Sequence, residues 1–487
     1  GIGTAQTYRY TDNPATVTSA SGWNAPVTAF PSFNERCEMA CRGNVLYALP
    51  CSGSSVPTIY KSVDGGVNWT ATAGQPTSGW ANQGWYCLSA GINPANTDEC
   101  IVGGLDCYKT SNGGTSWVKI SSWATSSTGF YVHADQHDIQ WWDGGSKLLY
   151  ACDGGMHFSS NGGTTNSDRN KGLRLKQFYS VAISPAEVNY LIGGAQDNGM
   201  HRLNHPGLDS SAEVAGGDGC YSAIDQNEPQ FQFGSYVYNV YRRSTNGGGS
   251  WSTPVSLATD GTNGRFVNPW DYDNNANIIY GCYTTGTYFR WNNPQTGSTW
   301  ETVTATGFTG NVSAVHAPPY TPNRVYFGMG SGGLQVVNNA NTGTTVTATS
   351  ITPSGASGYL NCIVTGSSDN NLIATYSSYG VTNVWRSSDG GSTWAACDGN
   401  LPDMPVRWAL FHPDTDNKAF IATETGVWET ELLNGAATVW VPNTTFPNVR
   451  TDMIKYRSSD RTIAAATHGR GMWTAVIPSV SSGLSFI

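Results

Sequence analysis

The most reactive stretch of the chain is His133-Ala-Asp135-Gln-His137-Asp138, with two imidazoles and two carboxylates in six residues. Read as a strand, its period of two puts His133, Asp135 and His137 on one face. Two imidazoles and a carboxylate form a ligand set for a divalent metal. The alternative is that these side chains bond backbone groups and tie neighbouring elements together. Three more carboxylates, Asp153, Asp197 and Asp218, stand beside glycines in CDGG, QDNG and GGDG. Tight loops of this kind, presented on one face, could supply a general acid and base for a glycoside. Their oxygens could equally bind calcium, and Asp beside Gly is also ordinary turn chemistry. Asp135 and Asp218 are the candidate catalytic pair. His468 and Arg470 in THGRG, with Asp153 and Asp197, are candidate binding groups. Trp141 and Trp142 join them as aromatic faces on which a sugar ring could stack.

What must position these groups is a repeat. SVDGGVNW ends at Trp69, TSNGGTSW at Trp117, STNGGGSW at Trp251 and SSDGGSTW at Trp394. A worn copy, SSNGGTTN, ends at Asn166, and a fainter one, NPQTGSTW, at Trp300. The Ser or Thr hydroxyl and the Asp or Asn side chain suit a tight turn that bonds its own backbone. The glycines supply positive φ, and the Trp folds back on apolar surface. Between the turns runs a short apolar strand with a small-residue end. Its copies centre on Tyr47, Val102, Tyr150, Ile192, Phe233, Tyr280, Phe327, Ala374, Ile421 and Ala464, 41 to 55 residues apart.

Each of the ten units reads as strand, turn, strand, turn, with almost no helical periodicity. Four strands in a repeat of this length is a β-propeller blade. The fold expected is all-β: about ten four-stranded units, as one large closed ring, with part of two tandem propellers as the alternative. The propeller spans residues 1–476, and 477–487 is a linker or tail. The last unit has three clear strands, TDMIKY, TIAAAT and GMWTAVI, so the N-terminal TAQTYRYT is expected to complete it. Residues 11–35 read as a long surface loop.

The chain has 487 residues with 58 Gly, 18 Trp and a net charge of −9. It carries no basic run, so nucleic acid and anionic membranes are poor partners. No apolar run is long enough to cross a bilayer. Eleven cysteines without a CxxC pair argue against a zinc ribbon. Six lie before residue 110, which suggests local bridges, and the odd count leaves one thiol over. Many cysteines in a Lys-poor, Gly-rich chain favour export. No signal peptide is visible at Gly1, so the sequence is expected to start after processing or to belong to a longer precursor.

The turn resembles the Asp-box, or bacterial neuraminidase repeat, of sialidases, xyloglucan-cleaving glycoside hydrolases and the sortilin propeller. NQGWYCLSAGINP, YVHADQHDIQW, ACDGGMHFSSNGG, GGAQDNGM, AGGDGCYSAID and THGRGMW are similar, in the same order, to large secreted propellers of Bacteroidetes exported by the type IX pathway. That resemblance implies a propeller and an extracellular or cell-surface location, and says little about activity. Neither a sialidase arginine triad nor a xyloglucanase aspartate motif is found. Six tryptophans at turn-like positions, Trp69, Trp117, Trp251, Trp300, Trp394 and Trp440, are expected in the core. Trp80, Trp85, Trp123, Trp141, Trp142 and Trp270 could form a glycan platform.

The function expected is a surface interaction protein: adhesion, glycan binding, or part of a larger extracellular assembly with a glycan or protein partner. The alternative is a glycoside hydrolase using paired aspartates on one face. A sortilin-like peptide receptor would instead need a ligand strand added to a blade edge inside the tunnel. No cofactor is implied beyond calcium or another divalent metal.

Overall fold

In the Ser-Val-Asp-Gly-Gly turn, Gly66 N donates to Ser62 Oγ at 2.9 Å and Asn68 N donates to Asp64 Oδ1 at 2.9 Å. The same two bonds recur, between 2.9 and 3.0 Å, at Thr110/Asn112, Ser159/Asn161, Ser244/Asn246 and Ser387/Asp389. Both glycines of each copy have positive φ, as in Gly390 (72°) and Gly391 (90°), where any other residue would be strained. The copy ending at Asn166 has lost its Trp but keeps both bonds, so turn geometry does not need the ring. The faint copy before Trp300 lacks the Ser/Asp pair. It bends through Gly297 N to Asn293 O at 2.7 Å instead.

The computed structural model describes residues 5–478 apart from residues 20, 29, 126–128, 208–210, 253–254 and 257–262. Its strands form ten sheets: eight of four strands, one of five and one of three. The pairing is antiparallel throughout, except that Thr345–Thr347 adds to the sixth sheet in parallel. The ten-unit β-propeller plan therefore stands. No helix among the described residues is long and apolar enough to cross a membrane.

The sheets fall into two compact units, Gly1–Lys171 with three and Gly172–Ile487 with seven. In each unit the first strands of successive sheets lie side by side, with apolar faces packed between sheets. Trp69 and Trp440 are buried, and Trp117, Trp251, Trp300 and Trp394 are half-buried against these cores. Trp117 Nε1 bonds Gly74 O, Trp394 Nε1 bonds Ile351 O and Trp440 Nε1 bonds Cys397 O, each just beyond the preceding sheet. At these three positions the Trp makes both an apolar contact and a hydrogen bond to the neighbouring sheet.

The second unit closes on itself after seven sheets. Met453, Ala464 and Ala466 of the tenth sheet share one core with Phe178, Val181, Ile183 and Leu191 of the fourth. Phe178 N bonds Thr467 O at 2.9 Å. The Arg457 guanidinium, almost fully buried, donates to Ser184 O at 3.1 Å and Glu187 O at 2.8 Å and pairs with Asp460. Ring closure follows the tandem alternative, and a ten-sheet ring is not formed. The reason lies in the packing faces: Met453, Ala464 and Ala466 of the tenth sheet find their apolar partners on the fourth. The last sheet has three strands among the described residues. Residues 5–10 pair instead with their own unit, Gln6 with Phe33 and Tyr10 with Asn24, and the Tyr8 ring lies 5.2 Å from that of Trp69. The described residues among 11–35 form a loop with one short turn, Pro14–Thr16. At the C-terminus, Ile477 and Pro478 are held by Arg461, and the rest of the expected tail lies outside the described residues.

All eleven cysteines are free thiols, so the expected local bridges do not form. Strand register explains this: Cys37 sits opposite Pro50, Cys41 opposite Leu46, Cys100 opposite Ile92 and Cys107 opposite Gly103. Burial pushes Cys37, Cys152 and Cys362 up to about 12.

One irregularity repeats. Near the start of the first strand, pairing skips one residue at His137, Ser313, Asn361, Arg407 and Asp452. Such a bulge re-aims one side chain. Ser313 Oγ donates to Leu360 O at 2.6 Å and Asn361 Nδ2 to Arg407 O, each reaching the next sheet.

Because Arg457 bolts the closing sheets with buried bonds, Arg457→Ala should lower the stability of the second unit by about 3 kcal/mol. Ser459→Ala, which removes one exposed bond to Pro185 O, should cost under about 1 kcal/mol. Urea denaturation followed by tryptophan fluorescence measures both; equal effects would show that Arg457 is not a closing bolt.

Candidate functional site

The stretch Val132–Asp138 is not a regular strand at its start. The strand runs Gln136–Trp142, and Asp135 precedes it with φ of 64°. That left-handed residue breaks the alternation expected to align His133, Asp135 and His137. His133 Nδ1 lies 3.2 Å from Ala134 O, and its backbone N donates to His157 Nε2. Its ring packs so tightly on Gly154 that a Cβ there would fall 2.3 Å from it, which is why the Asp-Gly-Gly turn needs its first glycine. The metal reading is therefore corrected: the three side chains point to different partners. No group of three or more His, Cys, Asp or Glu among the described residues is arranged to hold a metal.

Two carboxylates do come together here. Asp153 occupies the hairpin after Lys147–Cys152, and its backbone N donates to Asp135 O at 3.3 Å. Asp153 accepts from Tyr86 Oη at 2.9 Å and lies 2.6 Å from His137 Nε2. Asp135 accepts from the Cys87 thiol at 3.1 Å. The two acids thus have different surroundings. Burial, and then the Asp153 charge, raise Asp135 above the usual carboxylate range, while the bond from Cys87 partly offsets them. The bond to Asp153 raises His137. Beside them, Trp85 is 57% exposed and Tyr86 38%, with the Tyr86 ring edge-on to His137 at 5.2 Å.

The expected aromatic platform is only partly present. Trp80 and Trp270 are buried, and Trp141 packs into the core with Nε1 on Gly91 O and Lys109 over its ring. Trp85, Trp123 and Trp142 are exposed, Trp142 leaning on Phe158 at 5.7 Å.

Asp197, Asp218, His468 and Arg470 belong to the second unit, and ring closure gathers them. Asp197, at φ 55°, lies in the hairpin after Leu191–Ala195. Asp218, read beside Asp153 and Asp197 as one of three alike loops, is not in such a hairpin. It precedes the first strand of the next sheet and accepts Asp197 N at 3.0 Å. Tyr179 Oη donates to Gln196 Oε1 at 2.7 Å, and its ring lies 5.9 Å from His468. His468 Nδ1 stands 3.5 Å from Asp452 Oδ2, and Arg470 is exposed in the same Thr467–Gly471 turn. Arg450 binds Asp452 through Nε and Nη2 at 3.1 and 2.8 Å. Arg407 binds Glu424 through Nε at 2.7 Å and stands 3.8 Å from Asp452. Burial pushes Asp452 up, but His468, Arg450 and Arg407 together hold it below the usual carboxylate range.

Reading by motif missed Tyr86, Cys87, Arg407, Glu424, Arg450 and Asp452. Tyr86 and Cys87 sit inside a stretch already noted for its resemblance, and Asp452 inside a segment read as plain strand. The available signal was a charged residue at the second position of an inner strand, as in VRWALF and TDMIKY.

No family model matches the sequence, and no curated protein matches it. Among solved structures, the crystal structure of a GH74 xyloglucanase from Xanthomonas campestris is similar at 16% identity and a TM-score of 0.60, over 94% of this chain and 69% of that one. At this identity the likeness concerns the fold, a β-propeller.

Since His137 gains its partner on folding, its raised pKa means the pair stabilises fully below about pH 6.5. That contribution is lost as pH rises through the folded value. With His137 38% exposed on its side chain, the contribution should stay under about 1 kcal/mol. Histidine NMR titration should show a lower His137 pKa in Asp153→Asn, and the stability gap between that variant and wild type should shrink from pH 5.5 to pH 9. An unchanged His137 titration would break the assigned pair.

Proposed function

We propose that the chain is part of an extracellular glycoside hydrolase whose acid–base chemistry lies at the Asp135–Asp153 pair. The observation that carries this is the unequal environment of two adjacent carboxylates. Asp135 is half-buried and pushed toward its protonated form, as a general acid requires. Asp153 accepts from Tyr86 and pairs with His137, contacts that orient a base or nucleophile. Asp135 also sits in a left-handed conformation unusual for a non-glycine residue, and such strain concentrates at functional sites. The exposed Trp85 and Tyr86 rings offer a stacking surface for sugar beside the acids. The fold similarity to a xyloglucanase supports the same class, and a neutral plant-type polysaccharide is the substrate class to try first. Asp218, which caps the Asp197 turn, is assigned to binding in place of catalysis.

The finer family reading belongs here too. Turn sequences and motif order support an Asp-box propeller of the kind Bacteroidetes export by the type IX route. Fractionation of producing cells into medium, surface and cytoplasm tests the location, and a cytoplasmic protein would count against it.

A second reading is a non-catalytic surface protein that binds glycan through Trp85, Trp123 and Trp142. It is favoured by the fact that Asp135 and Asp153 both already have protein partners.

The two separate in one assay: reducing-end release from xyloglucan, mixed-linkage glucan and mannan. The hydrolase reading expects release by wild type and a loss of a hundredfold or more in Asp135→Asn, with an unchanged melting temperature. Full activity in Asp135→Asn, or none in wild type, sinks it. Product anomer by NMR would then report the carboxyl separation, about 5–5.5 Å for retention and about 6.5–9.5 Å for inversion.

A further inference from the structure

At the bulge of the inner strands, the seventh and eighth sheets place Ser313 and Asn361, small neutral groups that bond the next sheet's backbone. At that position the ninth and tenth sheets place Arg407 and Asp452. A stitch of the Ser or Asn kind would hold these sheets at lower cost, because partly buried charges must be desolvated. A local rule broken at such a cost marks a functional position. The charged groups also continue past the bulges. Glu424 and Arg450 pair with them, His468 stands against Asp452, and Tyr179 leads on to the Asp197–Asp218 contact. The result is one polar arc across four consecutive sheets of the second unit. It gathers three motifs, QDNG, GGDG and THGRG, that the acid pair of the first unit leaves unused.

We propose that this arc is a binding site for a neutral, hydroxyl-rich ligand: a sugar residue of an oligosaccharide. Its core is charge-balanced, Arg407 and Arg450 against Glu424 and Asp452, so it carries no net charge with which to attract an ion. Mutual pairing fixes the orientation of these groups. Arg407, Arg450, Glu424 and His468 nevertheless keep about a fifth to a third of their side chains exposed. Fixed donors beside fixed acceptors match hydroxyl groups, each of which can donate and accept at once. The Tyr179 and His468 rings form the less polar part of the surface. The choice of a sugar rests on the glycan reading above; the site itself does not rest on catalysis at Asp135.

The test is calorimetric titration of the full chain carrying Asp135→Asn, so that ligand is not consumed. The probes are a xyloglucan oligosaccharide and a cello-oligosaccharide, with an oligogalacturonate of equal length as the charged arm. Asp197→Gly removes a carboxylate at a left-handed position that glycine accepts without strain, and Arg470→Ala removes an exposed guanidinium, so both should fold. Each is expected to weaken the neutral ligand about tenfold. Hydrogen exchange on saturation should protect residues 194–199 and 467–471. Unchanged affinity in both variants without that protection overturns the site. So does tighter binding of the oligogalacturonate, or no binding of either neutral probe. A protein that binds here but releases no sugar from any polysaccharide would refute the hydrolase and leave this site standing.

Discussion

The packing of the tenth sheet on the fourth is the contact on which the second unit depends. A propeller sheet has two faces and little core of its own, so it is stable only between neighbours. In an open array the terminal faces would expose Met453, Ala464 and Ala466 on one side and Phe178, Val181 and Leu191 on the other. Closure buries both sets at once. The hydrogen bonds that accompany it are mostly made to backbone carbonyls at the hairpin ends. Arg457 satisfies two of these, Ser184 O and Glu187 O. It thereby locks a register that apolar packing alone would leave free to slide.

Closure also explains why charged residues collect at one place. Closure sets Tyr179, beside the fourth sheet, against His468 of the tenth, and so joins the Asp197–Asp218 contact to the Arg407–Asp452 contact, each of which lies between consecutive sheets. The same geometry places hairpins and entry loops at one end of the strands, where side chains meet water on one side and the core on the other. There burial pushes a carboxylate up and neighbouring donors and cations pull it down: burial and the Asp153 charge prevail at Asp135, while His468, Arg450 and Arg407 prevail at Asp452. The two acids have the same chemistry and opposite shifts, and the difference lies entirely in their neighbours.

Much of this architecture was legible beforehand. The turn motif names its own hydrogen bonds, because Ser and Asp two residues apart followed by two glycines have few other ways to satisfy the backbone. Ten periods of one apolar strand imply ten sheets. The candidate site was legible in part: the motifs containing Asp135, Asp153, Asp197 and His468 were visible, but their pairings were not. His133 looked like a metal ligand because strand alternation was assumed up to a residue, Asp135, whose backbone breaks it. The cysteines looked like bridges because they are close in sequence, whereas register sets them opposite other residues. Trp141 and Trp142 are adjacent in the chain and alike in type, yet one is packed and the other exposed, since neighbouring residues on a strand face opposite ways.

By itself, then, the sequence determined what depends on short range: the turns, the strand period, the number of sheets and the small residues that let strands pack closely. Each follows from interactions within about one repeat, and each copy repeats the same local solution. The tertiary structure decided where the ring closes, which acids share surroundings and which aromatic rings reach water. Those outcomes depend on contacts between sheets distant in the chain, such as the one between Ser184 and Arg457, 273 positions apart. No local pattern encodes them, because the energy that selects them exists only once the last sheet has met its partner.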